Sequence, residues 1–132
     1  MELVPGFEAI GALAFTTTRQ RGSFAWQSRE PAAEVFARWQ ALAEELSDDA
    51  PRLATAHQVH GDTVIEHMPG WDGWLRARAA DGHVAVAPGT AMGVTLADCV
   101  PVFIAHPRGA TAVVHSGWRG TVANITGRAI GR

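Results

Sequence analysis

Two apolar runs separated by three turn residues constrain this chain more than any other feature. Residues 100–106 read VPVFIAH and residues 110–116 read ATAVVHS, with Pro107-Arg108-Gly109 between them. Short runs of β-branched residues bounded by turn residues suit strands. A three-residue loop closed by a glycine suits a type I turn ending in a left-handed residue, which fixes one hairpin register. In that register His106 faces Ala110, and Pro101 faces His115. Cys99, the single cysteine of the chain, lies two residues beyond Pro101 and shares the parity of His115. The two side chains then leave one face as diagonal neighbours, with Cα atoms about 7 Å apart. A two- or four-residue loop would put them on opposite faces. A thiolate and an imidazole at that spacing can share a metal ion. Taken singly, the cysteine reads as a small buried hydrophobe and the histidine as a hydrogen-bonded strand-end residue.

The remaining segments build an α+β pattern around this hairpin. GALAFTTTR (residues 11–19) reads as a strand and QRGSFAWQSRE as a loop. PAAEVFARWQALAEELSDD (31–49) reads as a helix, with Pro31 at its first position and Val35, Phe36, Trp39, Leu42, Ala43 and Leu46 at helical spacing. RLATAHQV and TVIEHM read as short strands joined by a tight turn at His60-Gly61-Asp62. PGWDGWLRARAA is ambiguous. DGHVAVAP and MGVTLAD read as strands leading into the hairpin. TVANITGRAIGR reads as a final helix with Val122, Ile125 and Ala129 on one face, a face that would need cover from elsewhere. The order of elements predicts an α+β fold with a mixed, largely antiparallel sheet and flanking helices.

Composition narrows the function classes. All eleven basic residues are arginines, scattered through a chain of 132 residues with net charge −2. That distribution gives no basic surface for nucleic acid. No apolar run approaches the length of a membrane span, and MELVPGFEAIGALAF lacks the basic and apolar blocks of a signal peptide. A lone cysteine fits a reducing compartment, so the expected location is cytoplasmic.

Two further segments carry candidate chemistry. His60, in QVHGD, is a third potential ligand beside Cys99 and His115. Two imidazoles and one thiolate form a set used by catalytic zinc with a fourth position open. The bland reading of His60 is a solvated turn residue, and His57, His67, His83 and His106 read as structural. SGWRGT joins a strand to a helix start. Gly117 and Gly120 allow close backbone approach, and Arg119 offers a fork suited to phosphate or carboxylate. The plain alternative is an ordinary strand-to-helix turn with a solvated arginine. Trp118 reads as packing, although an aromatic beside a site could also stack on a base.

The segments TTTR, HQVHGDTV, ADGHVA, GVTLADCVPVFI and AVVHSGWRGT occur in this order. Together they resemble the bacterial laccase-domain family, also known as polyphenol oxidase or purine nucleoside phosphorylase. Its pattern is QxHG, ADC-x-P and V-H-x-GWRG, and the resemblance runs from about Phe15 to the last residue. It implies a laccase-domain, cysteine-hydrolase-like fold, of which residues 1–132 are the N-terminal portion of a single domain, with a C-terminal portion missing. It implies zinc held by His60, Cys99 and His115. It also implies an arginine at the position of Arg19 touching phosphate or substrate, although the family's TTRxGGVS is TTRQRGSF here. Cys99, His115 and Arg19 are the residues expected to carry catalysis. Arg19, Arg119, Gly117 and Gly120 are expected at the substrate or phosphate. Asp98 is expected to face away from the site, and Asp81 and Gln58 to support the ligands.

The activity implied is phosphorolysis of adenosine, inosine and methylthioadenosine, with adenosine deamination, so that the partners are purine nucleosides and phosphate. One enzymatic rival is a cysteine hydrolase acting in peptidoglycan-precursor editing, with Cys99 as nucleophile and His115 as base. A non-enzymatic rival is an inactive metal-binding fragment. A copper polyphenol oxidase is the weakest, because one such site offers no route for four-electron oxygen reduction.

Overall fold

A computed structural model describes residues 1–132. Nine strands, β1 (Glu2–Leu3), β2 (Phe15–Thr16), β3 (Arg52–Ala56), β4 (Val64–His67), β5 (Gly73–Ala77), β6 (Gly82–Ala85), β7 (Thr90–Met92), β8 (Val100–Ala105) and β9 (Thr111–Ser116), combine with three helices, α1 (Ala32–Leu46), α2 (Trp118–Val122) and α3 (Ile125–Ile130). The α+β class holds, and the pairing is mixed. β1 and β2 form a minimal antiparallel ladder. A three-stranded sheet, in the order β5-β3-β7, is parallel throughout. A four-stranded sheet, in the order β4-β6-β9-β8, is parallel only between β4 and β6.

The hairpin of β8 and β9 has the expected register, with Pro101 opposite His115. His106 N–H donates to the Ala110 carbonyl at 2.8 Å, and Gly109 takes φ 95°. That positive φ is the left-handed position the three-residue loop requires.

Helix α1 follows from its apolar spacing. Val35, Trp39 and Leu42 are buried and pack on Leu53, with Phe15, Phe24, Trp26 and Trp74 around them. Trp39 Nε1 donates to the Phe24 carbonyl at 2.9 Å, so the indole is buried without an unpaired polar atom. Pro31 sits one position earlier than expected, as the extended residue before the helix.

Four expectations are corrected. The strand expected over Gly11–Arg19 shrinks to Phe15–Thr16, because the chain closes into short 3-10 turns at Glu8–Ile10 and Arg19–Arg21. RLATAHQV and TVIEHM are not paired across their turn. β3 pairs with β5 and β7, while β4 pairs with β6 in the other sheet. MGVTLAD leaves the sheet after Met92. The final helix is two helices, because Asn124 adopts φ 59° and its Oδ1 accepts Gly127 N–H at 3.2 Å, capping α3. The break turns Val122 outward, while Ile125 and Ala129 pack on Val64, Val84, Ala112 and Val114. The chain's own sheet therefore covers Ile125 and Ala129 of the expected apolar face, and Val122 stays exposed.

These contacts make two cores rather than one, and only 24 of 132 residues are buried. One core joins α3 to the four-stranded sheet, and the other joins α1 to β3. Members of both line a cavity of about 1000 Å³, among them Trp39, Leu42, Leu53 and Ala112, together with Phe7 and Phe103. The cavity opens to solvent and is not a sealed interior space.

The four-stranded sheet also buries a pair of imidazoles. His67 and His83 are 2.9 Å apart between Nε2 and Nδ1, and both are shielded from water. Burial lowers the pKa of His67, and burial with neighbouring His67 pushes His83 down to about 3, against a smaller opposing pull from Asp81. Unfolded, both rings titrate near about 6.5. The native state thus binds fewer protons in that window. Its stability is full above the unfolded value and is lost as pH falls toward the folded one. Urea unfolding should lose about 2 kcal/mol between pH 6.5 and 5 from His83 alone. A His83→Leu variant should flatten that dependence, and a flat wild-type profile would contradict the assignment.

Candidate metal centre

Three connections pass from the three-stranded sheet to the four-stranded one: residues 57–63 from β3 to β4, 78–81 from β5 to β6, and 93–99 from β7 to β8. Each carries one polar residue of the candidate site, His60, Asp81 and Cys99 respectively. The end of β9 adds His115. The site therefore lies on the seam between the sheets.

The potential ligand atoms of His60, Cys99 and His115 all lie within 4.8 Å of one another. The two imidazole rings meet edge to face, with centroids 4.8 Å apart and planes at 84°. His115 is buried, Cys99 half-buried and His60 exposed, so the cluster is closed from below and open on one side. Tetrahedral zinc at about 2.0–2.3 Å from its ligands spaces them by roughly 3.3–3.6 Å, a spacing that side chains gathered this closely can meet. Nitrogen and thiolate donors with an open side suit such an ion.

Asp81 organises this cluster. Its carboxylate has no exposure to water and accepts N–H donors from Val59 at 3.1 Å, His60 at 2.9 Å and Gly61 at 2.8 Å. It also lies 2.8 Å from His115 Nδ1. His60 itself takes φ 59°, a left-handed conformation rare outside glycine, and those amide bonds hold it there. Gln58 provides a second tie. Its Oε1 accepts Thr95 N–H at 2.7 Å and the Thr95 hydroxyl at 2.9 Å, while its Nε2 donates to the Thr95 carbonyl at 2.8 Å.

The turn after β9 is fitted against the cluster. A Cβ on Gly117 would lie 3.2 Å from His60 Cδ2, 3.3 Å from Cys99 Sγ and 3.7 Å from His115 Cε1. A Cβ on Gly120 would come within 2.8 Å of the Gly61 carbonyl oxygen. Both glycines therefore have a packing reason to be glycine.

Other sequence candidates lie farther out. Arg19 is exposed and lines the large cavity, which none of the three potential ligands lines. Arg119 is exposed, with its guanidinium 5.2 Å from the centre of the Trp118 ring. Trp118 is 73% exposed, which corrects its reading as packing. Asp98 is exposed. Among the remaining histidines, His57 meets Gln27 at 3.4 Å and His106 accepts Arg108 N–H at 3.1 Å, both local structural contacts.

Adding a methyl group tests the two glycines separately. Gly120→Ala, which drives a Cβ into backbone, should cost about 1–3 kcal/mol in unfolding free energy. Gly117→Ala should instead leave the fold largely intact and weaken zinc binding in a competition titration. Equal zinc affinity in Gly117→Ala and wild type would contradict the close fit.

Residues 15–132 match the family described as multi-copper polyphenol oxidoreductase laccase. The purine nucleoside phosphorylase of Deinococcus radiodurans is 37% identical over 103 residues, covering 76% of this chain and 37% of the relative. That of Bacteroides thetaiotaomicron is 30% identical over 143 residues, covering 91% of this chain and 52% of the relative. YlmD from Geobacillus stearothermophilus has a TM-score of 0.69 at 26% identity, over 80% of this chain and 42% of that one. The Bacillus licheniformis hypothetical protein YfiH, with a TM-score of 0.66 at 23% identity over 96% of this chain and 46% of that one, shares the fold. The chain thus spans about half or less of the length of these relatives. With the family match over almost its whole length, the chain belongs to the multi-copper polyphenol oxidoreductase laccase family.

Proposed function

We propose that this chain carries the metal-binding part of a zinc-dependent purine nucleoside phosphorylase. The reading rests above all on the convergence of His60, Cys99 and His115 on one seam. Relatives named purine nucleoside phosphorylase support the substrate class. Adenosine, inosine and methylthioadenosine are the proposed substrates with phosphate, and adenosine deamination is a second activity of the same centre. Residues 1–132 act as the N-terminal portion of the laccase-like domain, and the cavity of about 1000 Å³ is room for further polypeptide or substrate. The single, free cysteine fits a cytoplasmic setting.

Bound zinc would supply a Lewis acid at the open side of the cluster. The chain's own groups do the remainder. Asp81 holds His115 by Nδ1 and leaves Nε2 toward the cluster. Arg19 and Arg119 supply forked cations for phosphate. Gly117 keeps a side chain away from the cluster, Gly120 lets the start of α2 pack on the Gly61 carbonyl beside the proposed phosphate position, and the exposed Trp118 offers a face on which a purine can stack. Zinc suits this donor set better than a copper cluster, because the chain gathers one group of three ligands, enough for one ion.

A second reading has its own support. Cys99, His115 and Asp81 also have the order of a thiol–imidazole–carboxylate nucleophile system, with the carboxylate on the far nitrogen of the base. Elemental analysis of the purified chain, paired with phosphate-dependent release of adenine from adenosine, separates the readings. Bound zinc near one equivalent is expected, with turnover abolished by chelation and both lost in Cys99→Ala. Turnover that survives chelation and is killed by thiol alkylation would favour the hydrolase. Zinc binding without turnover would leave a metal-binding fragment.

A further inference from the structure

The spacing of the potential ligands is not set by the residues that would bind metal. Three separate crossings and one strand end have to be held together. Backbone bonds from Ala80 N–H to the His57 carbonyl at 3.2 Å, from Asp81 N–H to the Thr63 carbonyl at 3.0 Å and from His115 N–H to the Asp81 carbonyl at 2.7 Å begin the task, and two side chains complete it. Asp81, on the crossing from β5 to β6, grips three consecutive amides around His60 and the ring of His115 with one carboxylate. It therefore couples the two imidazoles to each other. Gln58, on the crossing from β3 to β4, uses both ends of its amide on Thr95, four residues before Cys99. It ties the His60 segment to the cysteine segment as a strand partner would.

We propose that Asp81 and Gln58 are positioning residues that assemble the cluster before metal arrives, Asp81 setting the spacing of His60 to His115 and Gln58 that of His60 to Cys99. The proposal rests on the metal reading above for its purpose, and on the hydrogen bonds alone for its geometry. Asp81 has a further consequence. Asp81 Oδ1 already accepts the His60 N–H, and its 2.8 Å contact with His115 is matched by a ring proton on Nδ1. The Nε2 lone pair is then the one presented to the cluster. Orientation of a ligand imidazole through its distal nitrogen is worth about 10–100-fold in metal affinity.

The first measurement uses the metal-free wild-type chain. Long-range proton–nitrogen NMR should find His115 as the Nδ1–H tautomer. Finding the proton on Nε2 would overturn the role of Asp81. The second compares wild type with Asp81→Asn and Gln58→Leu by zinc competition and by the absorption spectrum of the cobalt-loaded protein. Asp81→Asn turns an amide donor toward backbone donors and should weaken zinc by about 10–100-fold while altering the cobalt ligand-field bands. Gln58→Leu should selectively reduce the thiolate-to-cobalt band. Val84→Ala, a core change away from the cluster, controls for stability. If it weakens metal binding as much as the two variants do at equal loss of unfolding free energy, the positioning role is refuted. Should wild type bind neither metal while His115 is the Nδ1–H tautomer, the metal reading falls and the hold of Asp81 on His115 stands.

Discussion

A carboxylate sealed from water needs compensation on every side, and Asp81 receives it from three backbone amides and one imidazole. Stranding such a group without partners costs several kcal/mol. The arrangement is therefore mutually enforcing. The turn at residues 59–61 adopts its unusual backbone because the carboxylate is there, and the carboxylate tolerates burial because the turn supplies its donors. Two sheets that share no ladder are joined at this carboxylate, by the amide clamp of Gln58 on Thr95 and by backbone bonds among the crossings, such as His115 N–H to the Asp81 carbonyl.

What the linear pattern reveals depends on how local its cause is. The hairpin register was legible because a three-residue loop with a left-handed glycine fixes pairing within a few positions, so Pro101 lies opposite His115. Helix α1 was legible for the same reason, through periodic burial of Val35, Trp39 and Leu42. Pairing of β3 with β5 and β7 was not, because parallel partners are chosen by contacts distant in sequence, and a turn signal at His60-Gly61-Asp62 resembles a hairpin whether or not its flanking strands pair. The split between α2 and α3 hid behind a helical spacing that one asparagine in a left-handed conformation interrupts.

The site shows the same division. Cys99 and His115 could be brought together from the hairpin alone, whereas His60 arrives by a crossing between sheets that residue spacing does not encode. Asp81 had a faint signal as an acidic residue in a motif-like ADGHVA segment. Its central place becomes visible only when the amides it gathers are seen in space. Gln58 is similar, since a glutamine beside a histidine says nothing about a backbone partner 37 positions away.

The division into two cores joined at a ligand-bearing seam gives a bound ion a mechanical role. Each core is small and could open with its own free energy, as contiguous cooperative units do. A cation held by His60, Cys99 and His115 would rivet the seam, since binding to the closed form alone adds its free energy to closure. Occupancy would then govern whether the two halves melt as one body or in turn, making the ion a part of the architecture as much as of the chemistry.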